Sequence, residues 1–142
     1  MLPRMPARDT YHQHVVDALV RDGWVITHDP LTVRIGTKDV FVDLGAERFL
    51  AAERAGRKIA VEIKSFIGAS EVRELELTLG QFLLYGDALA RKEPDRTLYV
   101  AVRAQVYRDV FQDPMGAMVL ENGRLRLLVF DPDRREVLQW IP

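Results

Sequence analysis

A glutamate and a lysine stand two residues apart inside the apolar segment Ala60-Val61-Glu62-Ile63-Lys64-Ser65. Because side chains alternate between the two faces of a strand, Glu62 and Lys64 are predicted to share one face while their apolar neighbours enter a core. Burying such charges is costly unless they pair with each other or with a ligand. A carboxylate that holds a divalent cation and a lysine that stabilises charge at a phosphate suit metal-dependent phosphodiester hydrolysis.

Glu-x-Lys alone is a weak motif, and a second acid upstream strengthens it. Asp43 is predicted to lie on the strand before Glu62, and two carboxylates on adjacent strands can bind one Mg²⁺ (or Mn²⁺) together. Both the catalytic and the metal-binding role of Asp43 and Glu62 therefore depend on how the two strands are aligned.

The alignment can be predicted from the turn between the strands. If Ala55-Gly56 form a two-residue hairpin turn, residue 49 faces Glu62 and Glu47 faces Lys64. Glu47 is therefore an alternative metal ligand to Asp43. The competing interpretation is a plain Glu47–Lys64 salt bridge on an open face, and spacing alone favours neither.

Two features downstream could complete a site. Gln81 and Tyr85 are four residues apart on a predicted helix and so share a face that could offer hydrogen bonds to a phosphate or to Lys64. The loop 65–70 joins the Lys64 strand to that helix, and loops in this position are natural phosphate contacts. The alternatives are a partly buried helix edge and an ordinary connection.

Composition limits the classes of function. The 142 residues suggest one domain, 9–142, after a loose tail at 1–8. The formal charge of −1 gives no overall attraction to nucleic acid, so a DNA surface would have to be local. The absence of cysteine excludes thiolate sites and fits a cytoplasmic protein, and no apolar run approaches membrane-spanning length. The three histidines lack metal-ligand spacing, and Arg103 is predicted to be a solvated charge.

Periodicity and turn signals predict the element order α-β-β-β-α-β-α-β-β-β, a mixed α/β (α+β) fold with a central sheet flanked by helices. The predicted helices are 10–22, 70–92 and 104–112. The predicted strands are 24–27 with a continuation over 31–35 after a break at 28–30, 39–52 with an interruption near Gly45, 58–64, 98–102, 117–121, 125–130 and 136–141.

Local signals refine these elements. Ser70 is predicted to cap the second helix, and Asn122-Gly123 to join strands 117–121 and 125–130. The buried stripe of the first helix is predicted to be Val15, Val16, Leu19 and Val20. That of the second helix is predicted to be Leu75, Leu79, Phe82, Leu83 and Leu89.

Asp43, then Glu62-x-Lys64, then Gln81-x-x-x-Tyr85 resembles the PD-(D/E)XK nuclease superfamily, and the last pair is similar to the version in its RecB-like branch. The resemblance implies a restriction-endonuclease-like core in which Asp43, Glu62 and the Ile63 carbonyl hold Mg²⁺. Valine replaces the proline that the superfamily motif places before Asp43.

A closer resemblance covers nearly the whole chain. The segments that carry it are 22–30, 41–47, 59–66 and 129–132. They resemble the XisH family of fdxN element excision controlling factors. That resemblance implies an accessory factor for site-specific excision of a DNA element, acting on DNA with a small XisI-like protein partner. Self-association and independent Mg²⁺-dependent endonuclease activity remain open alternatives.

Overall fold

The computed structural model describes residues 11–40 and 49–142. It contains four α-helices, a π-helical turn and eight strands within those ranges. The helices are α1 (His12–Arg21), α2 (Glu71–Lys92), α3 (Ala104–Val106), which runs into the π-helical turn Tyr107–Phe111, and α4 (Pro114–Glu121). The strands are β1 (Val25–His28), β2 (Val33–Ile35), β3 (Lys38–Val40), β4 (Phe49–Arg54), β5 (Arg57–Ile63), β6 (Arg96–Arg103), β7 (Leu127–Asp131) and β8 (Glu136–Ile141).

Six strands form a mixed sheet in the order β1-β4-β5-β6-β7-β8. Strands β5, β6 and β7 are parallel to one another, and the outer pairs are antiparallel. The parallel pairs require crossovers, which α2 and the α3–α4 segment supply. The predicted mixed α/β class and the central place of the Glu62 strand are therefore confirmed.

The two faces of the sheet are covered by different helices. Odd-numbered residues of β5, such as Val61 and Ile63, pack with Val15 and Leu19 of α1 in one core cluster. On the other face, Ala60 of β5 packs with residues of α2. Strand alternation therefore places Glu62 and Lys64 on the α2 side of the sheet.

The β4–β5 hairpin has the register that the turn predicts. Ala55 and Gly56 have φ values of 50° and 79°, as the two central residues of a type I′ turn require. Phe49 pairs with Glu62. The positions that would extend this register to Glu47 and Asp43 lie outside the described residues.

Helix α2 begins where its cap predicts. The Ser70 side chain accepts a hydrogen bond from the Arg73 amide at 3.2 Å, and Glu71 and Glu74 place negative charge in the first turn. Both features offset the unsatisfied amides of the helix start. Because the start is fixed, the angular position of every later residue, including Gln81, follows from helical geometry.

Residues 117–121 are helical, so the strand predicted there is wrong. Pro114 occupies the first turn of α4, where its missing N–H costs nothing. The Asn122-Gly123 pair, predicted as a hairpin turn, ends this helix instead, with Gly123 at φ 65° and its amide bonded to the Leu120 carbonyl. Helix ends and I′ hairpins both favour Asn-Gly, which explains the error.

The strand predicted over 39–52 is also not one element of the sheet. Strand β3 pairs with β2 in a separate two-stranded sheet, and β4 belongs to the main sheet. Residues 41–48, including the predicted interruption at Gly45, lie outside the described residues.

The burial prediction fails at two apolar residues. Val20 of α1 and Leu83 of α2 are 55 % and 68 % exposed. Ala18 and His12 are buried on α1 in place of Val20. Both errors arise because the apolar residues of these helices extend around more of the circumference than the sheet can cover.

None of the helices in the described part of the chain is both long and apolar enough to cross a membrane.

Replacing Gly86 by alanine is predicted to stabilise the folded protein. It lies within α2, and a Cβ placed there has no atom within 4 Å. Gly86→Ala should raise the free energy of unfolding by about 0.5–1 kcal/mol, because glycine loses more backbone entropy in a helix. Gly123→Ala is the matched control, since it is equally uncrowded but has φ 65°, and it should destabilise. Urea denaturation measures both, and a stabilised Gly123→Ala would contradict this account.

Asp17 is predicted to make stability depend on acidity. Hydrogen bonds from Arg135 and, secondarily, Gln13 hold the pKa of Asp17 below its ordinary value of 3.8. The stabilisation is present above about pH 4 and is lost as the pH falls through the lowered folded-state pKa. Asp17→Asn should cost less than about 1 kcal/mol at neutral pH, because the pair is largely solvated. The loss of unfolding free energy in Asp17→Asn should be smaller at acid pH than at neutral pH. Urea denaturation at both pH values measures it, and an equal loss at the two would contradict the role of Asp17.

Candidate functional site

Glu62 and Lys64 form a buried ion pair on the α2 face of the sheet. Their side chains are 3 % and 2 % exposed, and Lys64 Nζ lies 3.7 Å from Glu62 Oε1. Lys64 follows the last residue of β5, yet its amide donates to the Ala101 carbonyl of β6 at 3.0 Å, so the backbone there is held. Two charges without water cost free energy unless other polar groups support them.

Gln81 of α2 supplies such support. Lys64 Nζ donates a hydrogen bond to Gln81 Oε1, and this contact joins the helix to the sheet. Thr78, one turn earlier, is fully buried and satisfies its hydroxyl by donating to the Glu74 carbonyl at 2.8 Å. The structure therefore brings together three of the predicted site residues: Glu62, Lys64 and Gln81.

Tyr85 lies one turn beyond Gln81 and is partly buried. Its ring packs against the core cluster that contains Leu31, Leu98 and Leu89. The aromatic ring therefore has a packing role, and its predicted catalytic role stays a prediction.

The segment after Lys64 is strained and fixed from both sides. Phe66 has φ 52°, a left-handed conformation that is costly for an aromatic residue. Its ring makes an edge contact with Phe111 at 5.7 Å between centroids. Arg103, at the end of β6, donates to the Ser65 carbonyl. The loop that leaves the site is therefore held in one path.

The solvated environment predicted for Arg103 is wrong. It is partly buried, and its guanidinium stacks over the Tyr11 ring at 4.9 Å. Its position at the end of a buried strand, beside the parallel strand that carries Lys64, was the signal that could have identified it. His12 is buried, and its Nε2 lies 2.7 Å from Asp29 Oδ2.

The two upstream acids, Asp43 and Glu47, lie outside the described residues. Within residues 11–40 and 49–142, no three His, Cys, Asp or Glu side chains gather closely enough to hold a metal ion. The donors that the described site offers a hard cation are oxygens of Glu62 and the backbone carbonyl of Ile63. These are of the right chemical type for Mg²⁺, and a further carboxylate would be needed to complete a typical set.

Fold and site together define a mixed α/β domain whose central strand carries a buried Glu-x-Lys pair supported by a helix glutamine. Comparison with known proteins identifies the family. The XisH protein family matches residues 5–138, so the chain belongs to the XisH family.

Two solved structures resemble the chain over nearly its whole length. An XisH family protein from Nostoc punctiforme is 39 % identical, with a TM-score of 0.85, and the match covers 94 % of this chain and 100 % of that chain. An fdxN element excision controlling factor protein from Anabaena variabilis is 40 % identical, with a TM-score of 0.85, and the match covers 95 % of this chain and 100 % of that chain. None of the curated proteins compared with the chain matches it significantly.

The ion pair predicts a non-additive response to mutation. Lys64→Met should lower the free energy of unfolding by roughly 3–5 kcal/mol, because it leaves the buried Glu62 carboxylate without its lysine partner. Glu62→Leu combined with Lys64→Met should recover most of that loss, since apolar replacement of a buried pair is often neutral or better.

The control for this cycle is Lys58→Met. The Lys58 ammonium lies 3.5 Å from Asp95 in an exposed pair, so its loss should change stability by less than about 1 kcal/mol. Chemical denaturation of the single and double variants measures the coupling, and additive single effects at positions 62 and 64 would contradict the buried-pair account.

Proposed function

We propose that this protein is an accessory factor for site-specific excision of a DNA element and that it keeps a divalent-metal site at Glu62. The observation that carries the proposal is the Glu62–Lys64 pair, buried on the central strand at 3.7 Å and supported by Gln81. A solvated salt bridge would need neither burial nor a helix partner. The relative from Anabaena variabilis is described as an excision controlling factor, which supports the cellular task.

The metal site requires an acid beyond those described. Glu62 and the Ile63 carbonyl would contribute two oxygen ligands, and Asp43, or alternatively Glu47, would contribute the further carboxylate. Mg²⁺ suits this set because it prefers oxygen donors and keeps several waters, and Mn²⁺ is the natural substitute. A bound cation would supply charge neutralisation and a more acidic water.

The described side chains have separate tasks in this proposal. Glu62 binds the cation, and Lys64 presents an ammonium group to a phosphate oxygen or to the attacking water. Gln81 fixes the direction of the lysine, because its amide oxygen accepts one of the three ammonium protons. Tyr85, one turn further along α2, would help to position Lys64 or the nucleic-acid backbone.

A second function, independent Mg²⁺-dependent endonuclease activity, is favoured by the same lysine. A lysine beside a metal-binding carboxylate is an arrangement that phosphodiester hydrolysis uses, so the pair favours catalysis over binding alone. The net charge of −1 favours the accessory role, since it gives no long-range attraction to DNA. Plasmid cleavage in vitro distinguishes these two functions.

The proposal predicts metal-dependent stabilisation that requires Glu62. Mg²⁺ or Mn²⁺ should raise the thermal midpoint of the wild-type protein, because a ligand that binds only the folded state stabilises it. Glu62→Gln should abolish that rise, and Asp43→Asn and Glu47→Gln should identify the second acid by which of them also abolishes it. Lys92→Ala, on the exposed end of α2, is the control that should leave it unchanged.

Activity is measured with the same variants. Each metal-site variant should excise the element poorly in a cell-based assay with the small partner present, and Lys64→Ala should remove any cleavage of supercoiled plasmid. Thermal unfolding of each sample establishes that it is folded. If folded Glu62→Gln and Lys64→Ala proteins excise normally, the cluster is not the functional site. If metal never stabilises the wild type but both variants lose excision, the cluster serves binding and the metal proposal is wrong.

A further inference from the structure

The outward face of α2 carries leucines that the fold leaves uncovered. Leu83, Leu84 and Leu77 are 68 %, 59 % and 46 % exposed. Gly80 lies between them, and a Cβ built there has no atom within 4 Å. Single exposed leucines are ordinary, but three around a glycine on one helix form an apolar patch that a second helix can approach closely. We call these four residues the α2 patch.

Charged residues flank the α2 patch in a self-complementary order. Arg73 lies seven residues before Gly80 and Asp87 lies seven residues after it, so all three fall on one line along the helix. Both charged side chains are exposed, and neither forms an ion pair within the described part of the chain. Seven residues is two helical turns, so the charges lie at equal distances from the glycine.

We propose that α2 pairs with α2 of a second copy of this chain, antiparallel and crossing at Gly80. In that arrangement a two-fold axis passes between the glycines, and each Arg73 faces Asp87 of the other copy. Leu77 meets Leu83 and Leu84 across the axis. A parallel pair would instead place each arginine against the same arginine, so the charge order selects the antiparallel arrangement.

Two Arg73–Asp87 contacts and a leucine centre thus follow from one crossing point at Gly80. The proposal is independent of the metal site, because Glu62 and Lys64 lie on the opposite side of α2.

Charge reversal gives a test that does not threaten the fold. Arg73→Glu adds a negative charge at the start of α2 and completes a capping box with Ser70, while Asp87→Arg adds a positive charge toward the helix end. Both changes favour the helix in the monomer. Any loss of association therefore reports on the contact between copies.

The measurement is sedimentation velocity over a series of protein concentrations. The wild type should reach twice its 16.3 kDa mass reversibly. Arg73→Glu or Asp87→Arg alone should raise the dimer dissociation constant by about tenfold or more, since each turns two attractions into repulsions. Arg124→Glu, an equal charge change on another exposed arginine, should have no such effect.

The decisive sample is an equimolar mixture of the Arg73→Glu and Asp87→Arg proteins. In a mixed dimer the two introduced side chains, one on each copy, face each other with opposite charges. The unchanged Asp87 of the first copy and the unchanged Arg73 of the second form the other pair. The mixture should therefore dimerise at least as well as the wild type.

Three results would overturn the proposal. A wild type that stays monomeric at every concentration would overturn it, and the α2 patch would then be a candidate surface for a different protein. A dimer that neither charge reversal weakens would place the interface elsewhere. A mixture that associates no better than the single variants would show that positions 73 and 87 do not meet across the axis.

Discussion

The burial of one ion pair in the middle of the sheet constrains the rest of this structure. Glu62 and Lys64 are 3 % and 2 % exposed by side chain, so their charges must be satisfied by protein groups. The sheet meets this need by placing them together at 3.7 Å on one face, and α2 meets it by bringing Gln81 to the ammonium. Correct placement of Gln81 depends in turn on where α2 starts, which the Ser70 cap determines.

Hydrogen bonds next to the ion pair also join the carboxyl ends of the parallel strands β5 and β6. Lys64 is tied to β6 through the Ala101 carbonyl, and Arg103 at the end of β6 is tied back to Ser65. Phe66 has a left-handed backbone conformation, and its ring contacts Phe111. Such strain persists only where surrounding contacts determine the conformation. The backbone at the carboxyl edge of β5 and β6 is therefore held by contacts from both strands.

The sequence predicts correctly those features of the fold that a few neighbouring residues determine, such as turns and helix caps. The Ala55-Gly56 turn fixed the Phe49–Glu62 register, and Ser70 marked the start of α2. Residues 117–121 were predicted wrongly because Asn122-Gly123 suits a helix end as well as a hairpin, and only tertiary packing chooses between them. The exposure of Leu83 depends on how far the sheet extends, which spacing along the helix does not encode. The contact from Gln81 to Lys64 was one of the alternatives that helical spacing left open, beside a phosphate contact and a partly buried helix edge. Spacing along one helix does not show which residue of the sheet faces it.

Glu62 and an upstream acid are proposed to hold a divalent cation beside Lys64. The most direct measurement is the anomalous difference density of crystals grown with Mn²⁺, which identifies the metal and its ligands together. We expect a peak at bonding distance, about 2.0–2.2 Å, from a Glu62 carboxylate oxygen and from Asp43 or Glu47, with Lys64 still hydrogen-bonded to Gln81. A structure in which Mn²⁺ leaves no peak at Glu62, and the carboxylate keeps its pairing with Lys64 without a metal, would contradict it.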